Sequence, residues 1–384
     1  MNNYRWNPYV LLSGQELESC FSEHFTAESK VLLIMSKGFD VRMNIAISEL
    51  KKNQKKPKIT VILISFDEGE DSSSHEYKHL VDANMTELAG LVNHSDIVVK
   101  HIDLWQMDDG SKRRVGDRRA ARLIDEIDIV QYNDIIVDIS ALPRGIYFSL
   151  IGKLLSLIDN LKIERKPNLM VTVAENPELD EGTIDDTVDD EPNFLAGFSG
   201  SIDRSSSGSG EPLIWMPILG EYKIPHIKKA HGFLAPNETC PILPFPSKNP
   251  RRPDALIIDY HNILFDEFNV EQQNIMYVPE QNPFEAYKIL SKAIKNYRKS
   301  LKEIGECKTV ISTFSSKLLS IGTLLAAYEL KTNDIDVGVL NVDSQGYKLK
   351  GDLDLKKMRD DSNLFVIWLT GEPYENFGSN TIKS

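Results

Sequence analysis

The sequence predicts an α/β protein with two Rossmann-like lobes, each built on a mostly parallel sheet. Three observations carry this. From residue 30 onward, short apolar runs alternate with amphipathic segments, the pattern of strands joined by helices. The apolar runs are nearly unbroken Val/Ile/Leu, as in "VLLIMS" and "DIIVDIS", which suits strands covered on both faces. The alternation breaks at the acidic "ENPELDEGTIDDTVDDEPN" and the Gly/Ser-rich "GFSGSIDRSSSGSGEP", then resumes. Such compositions make connectors rather than cores. The boundaries that follow are an N-terminal extension at 1–29, a first lobe at 30–175, a connector at 176–211 and a second lobe at 212–384.

In the first lobe, strands are expected at 31–36, 58–66, 96–104, 134–140 and 168–174. Helices are expected at 41–53, near 75–93, at 118–131, and over "RGIYFSLIGKLLSLIDNL", because the hydrophobic period changes from two to about 3.6 between them. In the second lobe, "PLIWMPILG" reads as a strand, with a helix starting near Glu221. The segment 240–254 carries five prolines, so it is extended. A helix over "ALIIDYHNILFDEF", a strand "NIMYVP" and a long helix from "PFEAYKIL" follow. The strand at 308–314, the helix "SSKLLSIGTLLAAYELK" and strands at 334–342 and 363–371 complete the lobe. "IIVDISALPRGIYFSLIGKLLSL" and "KTVISTFSSKLLSIGTLLAAYEL" share a plan, in which Ser140 precedes Arg144 by four residues as Thr313 precedes Lys317. Their glycines do not align, so duplication stays open.

With 384 residues, 41% of them hydrophobic, the chain is long enough for two domains. A net charge of −13 argues against extended wrapping of nucleic acid, while a local basic pocket stays compatible. Cys20, Cys240 and Cys307 are far apart and without metal spacing, which fits a reducing cytoplasm and excludes a disulfide framework. The start "MNNYRWNPYV" lacks a signal-peptide pattern, and no uncharged run reaches membrane-spanning length. Eight scattered histidines form no HExxH or HxH pair, so no metal is expected, and the chain reads as cytoplasmic with no membrane partner.

In an open parallel sheet, ligands bind beyond the carboxyl ends of the strands. The next helix offers unpaired N–H groups that favour anions. Four turns fit. The first is "SKGFDVR", with Lys37, Gly38, Asp40 and Arg42. The second is "SFDEGEDSSSHEY" at 65–77. The third is "DISALPRG", with Asp138, Ser140 and Arg144. The fourth is "STFSSKLLSIG", with Thr313, Ser316 and Lys317. Each also has a plain structural reading, since Ser and Thr cap helices and Pro143 suits a first turn. Asp138 and Ser140 share a strand face. A buried Asp138 needs a partner, and Arg42 or Arg144 is the natural one. Asp67, Glu68, Glu70 and Asp71 read as a solvated acidic loop before a cation site. "GSKRRVGDRRAAR" is the densest basic run, a local anion patch, a docking surface or simply a solvated helix face. No GxGxxG, GxxxxGKS or GxSxG occurs. Catalytic residues and any cofactor therefore stay unassigned.

"VDISALPR" and "STFSSK" resemble the phosphate-side turns of CRISPR-associated Rossmann-fold (CARF) domains and their relatives in prokaryotic defence systems. "KGFDVRM" is similar to a turn of uncharacterised CARF-like bacterial proteins. The resemblance covers roughly 30–175 and, less clearly, 240–345. It implies a role in antiviral defence, a nucleotide or other phosphorylated small molecule as ligand, and action through a protein partner or a homo-oligomer. No nuclease, protease or membrane module follows the matching turns. Two alternatives stay open. One is an enzyme acting on a nucleotide or sugar phosphate, with "DEGEDSSSHEY" as a substrate lid. The other is an assembly component without a ligand, suggested by the apolar "LLSIGTLLAAYEL".

Overall fold

The computed structural model describes residues 4–67, 72–108, 111–185, 187–189, 191–200, 211–304, 307–351 and 353–375. It divides into two units. In order along the chain, the lobe whose two segments flank the other, the outer lobe, is Pro8–Asp186 with Gln345–Ser384, and the lobe set between them in sequence, the inner lobe, is Thr187–Ser344 with Met1–Asn7.

The outer lobe holds five parallel strands, in spatial order Ile97–Asp103, Lys58–Asp67, Lys30–Ser36, Asp134–Asp138 and Asn168–Glu175. Counted along the chain this is 3-2-1-4-5. The order reverses between Lys30–Ser36 and Asp134–Asp138, which makes a topological switch point there. Asn363–Thr370 then joins antiparallel to Asn168–Glu175, and Val10–Ser13 pairs antiparallel outside it. Both sheet faces are covered, as the apolar runs require. Val31, Leu33 and Met35 pack on one side with Ile47, Leu50, Val61 and Leu63. The crossover helix Arg144–Asn160 buries Ile146, Phe148, Leu150, Ile151, Leu154 and Leu155.

The boundaries differ from those read in the sequence. The strand Asn363–Thr370 was expected in the second lobe but belongs to the outer lobe. Residues 8–29 and 176–186 also belong there. An apolar run such as "NLFVIWLT" carries no mark of which sheet it enters, and proximity in sequence is the only guide until pairing is seen. The basic run also differs. It forms an antiparallel ribbon, Trp105–Asp108 with Ser111–Arg114, followed by the helix Gly116–Asp125. Much of the acidic lid sequence (68–71) and of the Gly/Ser-rich run (201–210) lies outside the described residues.

The inner lobe repeats the strand order. Leu213–Ile218 is central. Ile242–Pro244 and Met276–Val278 lie on one side, and Lys308–Thr313 and Val337–Asn341 on the other, all parallel. Asn193–Phe194 adds an antiparallel edge. The helix expected after the proline-rich stretch starts at Arg252, with Pro253 in its first turn, where a missing N–H costs nothing. The two segments that resembled each other in sequence occupy the same topological place, the fourth strand and its helix. Arg144 and Lys317 are each the first residue of that helix.

Among the described residues, no helix is long and apolar enough to cross a membrane.

Candidate functional site

Two turns meet at the outer lobe's switch point. Ser36 ends its strand, and its hydroxyl donates to the carbonyl of Ala141 at 2.9 Å. The Lys37 N–H donates to Ile64 O at 2.7 Å. A Cβ on Gly38 would stand 3.8 Å from Ala141 Cβ, so the turns touch, yet glycine is not sterically required. Asn84, buried on the helix Lys78–Leu91, donates from Nδ2 to both Gly38 O and Asp40 O at 2.9 Å. Its own carbonyl accepts from Asn44 Nδ2 at 2.8 Å. Asn44 also donates to Glu87 at 3.0 Å, and Arg359 donates to the other Glu87 oxygen. Burial works against the Glu87 charge, but these donors hold its carboxyl below the usual range. The turn at 37–44 is thus fixed by side-chain amides rather than by a regular ladder.

Arg42 is 4% exposed. Its Nε donates to Asp40 Oδ1 at 3.0 Å and its Nη2 to Asp40 Oδ2 at 2.8 Å. Its Nη1 reaches Asp180 Oδ1 at 2.9 Å and Ala174 O at 3.2 Å. Burial opposes this guanidinium, but Asp180 and Asp40 outweigh it and hold its pKa above the ordinary arginine value. Arg42 therefore ties the first turn to the end of the strand Asn168–Glu175. It is not the partner of Asp138, as the sequence reading had allowed.

Asp138 is satisfied locally. It accepts from Ser140 N at 3.0 Å, Ser140 Oγ at 3.2 Å and Thr172 Oγ1 at 2.9 Å. Ser140 Oγ in turn accepts from Ala174 N at 2.9 Å. Arg42 and Ser140 thus both hold the backbone of Ala174, so the two turns share one edge of the sheet. Two hydroxyls and an N–H thus serve Asp138 where Arg42 does not, because the neighbouring strand offers Thr172 in direct register.

Two cations at this edge are less enclosed. Lys37 is exposed, and its ammonium has no partner among the described residues. Arg144 is half-buried at the start of a 17-residue helix.

Thr313, Ser316 and Lys317 lie in the inner lobe. Thr313 Oγ1 donates to Thr323 Oγ1 at 3.2 Å, and Ser316 caps its helix by accepting from Leu319 N at 3.3 Å. At that lobe's switch point Gly220 is tight, since a Cβ would fall 2.1 Å from Phe314 O. Beside it Arg252 donates to both Glu221 oxygens at 2.6 Å, to Glu280, and to Ser315 Oγ at 3.4 Å. Burial opposes the Glu221 charge, but Arg252 pulls its carboxyl below the usual range. The inner lobe's own carboxylates, Glu221 and Glu280, thus take up the Arg252 guanidinium.

Sequence reasoning missed Asn84, Thr172, Asp180, Glu221 and Arg252. Two left a trace. Asn84 shares the buried face of its helix with Leu88, and Thr172 interrupts an apolar strand. Among the described residues no group of three or more His, Cys, Asp or Glu could hold a metal ion.

No family model matches the chain, and no curated protein matches it. The CARF-like resemblance thus gains nothing from either. Among solved structures, one from Listeria monocytogenes described as a UDP-N-acetylglucosamine 2-epimerase is 11% identical. It covers 76% of this chain and 75% of its own, with a TM-score of 0.22. A Haemonchus contortus phosphoethanolamine N-methyltransferase, in complex with phosphoethanolamine and S-adenosylhomocysteine, is 8% identical. It covers 92% of each chain, with a TM-score of 0.20. Neither likeness is close enough to carry an argument about ligand or residues.

Proposed function

We propose that the outer lobe binds a nucleotide or another phosphorylated small molecule at the carboxyl edge of its sheet, over the switch point. Lys37 and Arg144 are the cations that meet the anion. Ser36, Ser140 and Arg42 shape the turns from behind. The carrying observation is Lys37, a cation without a partner among the described residues, standing where open parallel sheets take their ligands. Arg144 supports it. It is the first residue of its helix at the same sheet edge, and a guanidinium matches phosphate in two bonds.

Mass spectrometry of small molecules released from the purified protein identifies the ligand, and calorimetry with it measures affinity. Lys37→Ala and Arg144→Ala are each expected to weaken binding about tenfold or more with melting unchanged. Full affinity in the double variant would refute the assignment.

A further inference from the structure

We infer that the ribbon strands Trp105–Asp108 and Ser111–Arg114, with the helix Gly116–Asp125, form a separate contact surface for single-stranded nucleic acid. The ribbon is its own two-stranded sheet. Its register pairs Trp105 with Arg114, Gln106 with Arg113 and Met107 with Lys112. Paired residues share a face, so Trp105, Met107 and Arg114 lie together. The Arg114 guanidinium sits over the indole, 5.2 Å from the ring centroid, and Met107 is 68% exposed.

The cations beside this apolar strip are uncommitted. Arg113, Arg118 and Arg122 are exposed, and none makes an ion pair with a described residue. Arg118 and Arg122 are four apart on the helix Gly116–Asp125, opposite its buried Ala120, Leu123 and Ile124. Arg119 differs, since it is held by Asp103 Oδ2 at 2.7 Å. The helix also places Arg118 in its first turn, where a cation works against the dipole. A plain solvated face would not need an exposed thioether or a stacked indole.

These features select one kind of partner. Flexible single strands present phosphates to arginines and flat bases to aromatic or thioether groups. A duplex hides its base faces, and an acidic peptide has no use for the indole. The net charge of −13 repels a polyanion from most of the chain, so the footprint is confined to this surface.

The test is fluorescence anisotropy of the full chain with labelled oligo-uridine and oligo-thymidine of about 12 nucleotides, between about 50 and 200 mM salt. Binding is expected with a log–log salt slope near −2, since three arginines contribute roughly 0.7 each. Arg113→Ala, Arg118→Ala and Arg122→Ala together should abolish the slope. Trp105→Ala should weaken binding about tenfold and leave the slope in place. Because Trp105→Ala also removes the ribbon's own cross-strand contact with Arg114, Met107→Ala serves beside it, with a smaller loss in the same direction. Three outcomes overturn the proposal: no binding at about 100 µM protein in low salt, unchanged binding by the triple arginine variant, or equal binding by wild type, Trp105→Ala and Met107→Ala. The last would make the surface a generic polyanion or acidic-protein patch. Lys37→Ala should bind the oligonucleotides as wild type does, which separates this surface from the switch-point site.

Discussion

Replacing Arg42 with alanine tests which arginine of the switch point is scaffold. The side chain is 4% exposed, but its carboxylate partners are not equally enclosed, with Asp40 at 21% and Asp180 at 44%. Removing one member of a fully buried pair costs about 3–5 kcal/mol, because a bare charge stays behind. Here both carboxylates can recover water, which lowers that figure. The Ala174 carbonyl also loses a donor, and an unsatisfied buried acceptor costs about 1–3 kcal/mol. The net expectation is a loss of about 2–4 kcal/mol. For a lobe of roughly 200 residues that lowers Tm by about 5–12 °C. Arg144→Ala should cost less than Arg42→Ala, since Arg144 is only half-buried and Asp138 keeps the donors Ser140 and Thr172 without it. Thermal melts and urea titrations of the ligand-free variants decide the matter. Wild-type melting for Arg42→Ala would show that Arg42 is not scaffold, and an equal loss for Arg144→Ala would show that both arginines are.

Ser140→Ala strips the Ala174 N–H of its acceptor and Asp138 of a donor, so a loss of about 1–3 kcal/mol in urea titrations is expected. Gly220→Ala places a Cβ 2.1 Å from Phe314 O and should cost about 1–3 kcal/mol or more by overpacking. Gly38→Ala meets only ordinary contacts and should stay within about 0.5 kcal/mol. The inner lobe should weaken in acid in two stages. Burial lowers the His231 pKa below 6.5. Its contribution is therefore complete above pH 6.5 and is lost as pH falls through the lowered value. Glu221, drawn below 4.5 by Arg252, gives a second loss below pH 4.5 by the same sign. His231→Phe keeps a ring against Phe268, stacked at 3.7 Å, and should remove the first stage from a pH series of urea midpoints.

Nine of the ten parallel strands were legible because each is a short apolar run bounded by turn residues, and burial on both faces enforces that pattern; Ile242–Pro244 read only as extended, because the prolines around it break the run. Val10–Ser13 was not, since four residues beside an N-terminal segment carry too little period to read. The basic ribbon was hidden because its strands are four residues each, and the cationic Ser111–Arg114 carries no apolar period to read. At the switch point the turns were readable from Gly38, Ser140 and Arg144, where strand gives way to helix. The partners were not. Asp180 reaches Arg42 from a stretch whose acidic composition read as connector, and Thr172 reaches Asp138 only through strand register, which sequence does not fix.

The return of Asn363–Thr370 to the outer sheet has a consequence for how the chain is made. Its neighbour, Asn168–Glu175, is buried throughout, yet the ribosome delivers its second partner only after the whole inner lobe has emerged. At about 5–20 residues per second, that edge waits roughly ten to forty seconds. The inner lobe has no such wait, because its five parallel strands come off in one unbroken stretch. The nascent chain thus completes the sheet of the later-starting lobe before that of the earlier one. Through that interval the bare apolar edge is the part most open to pairing with another chain, and the part a holdase would have most reason to cover.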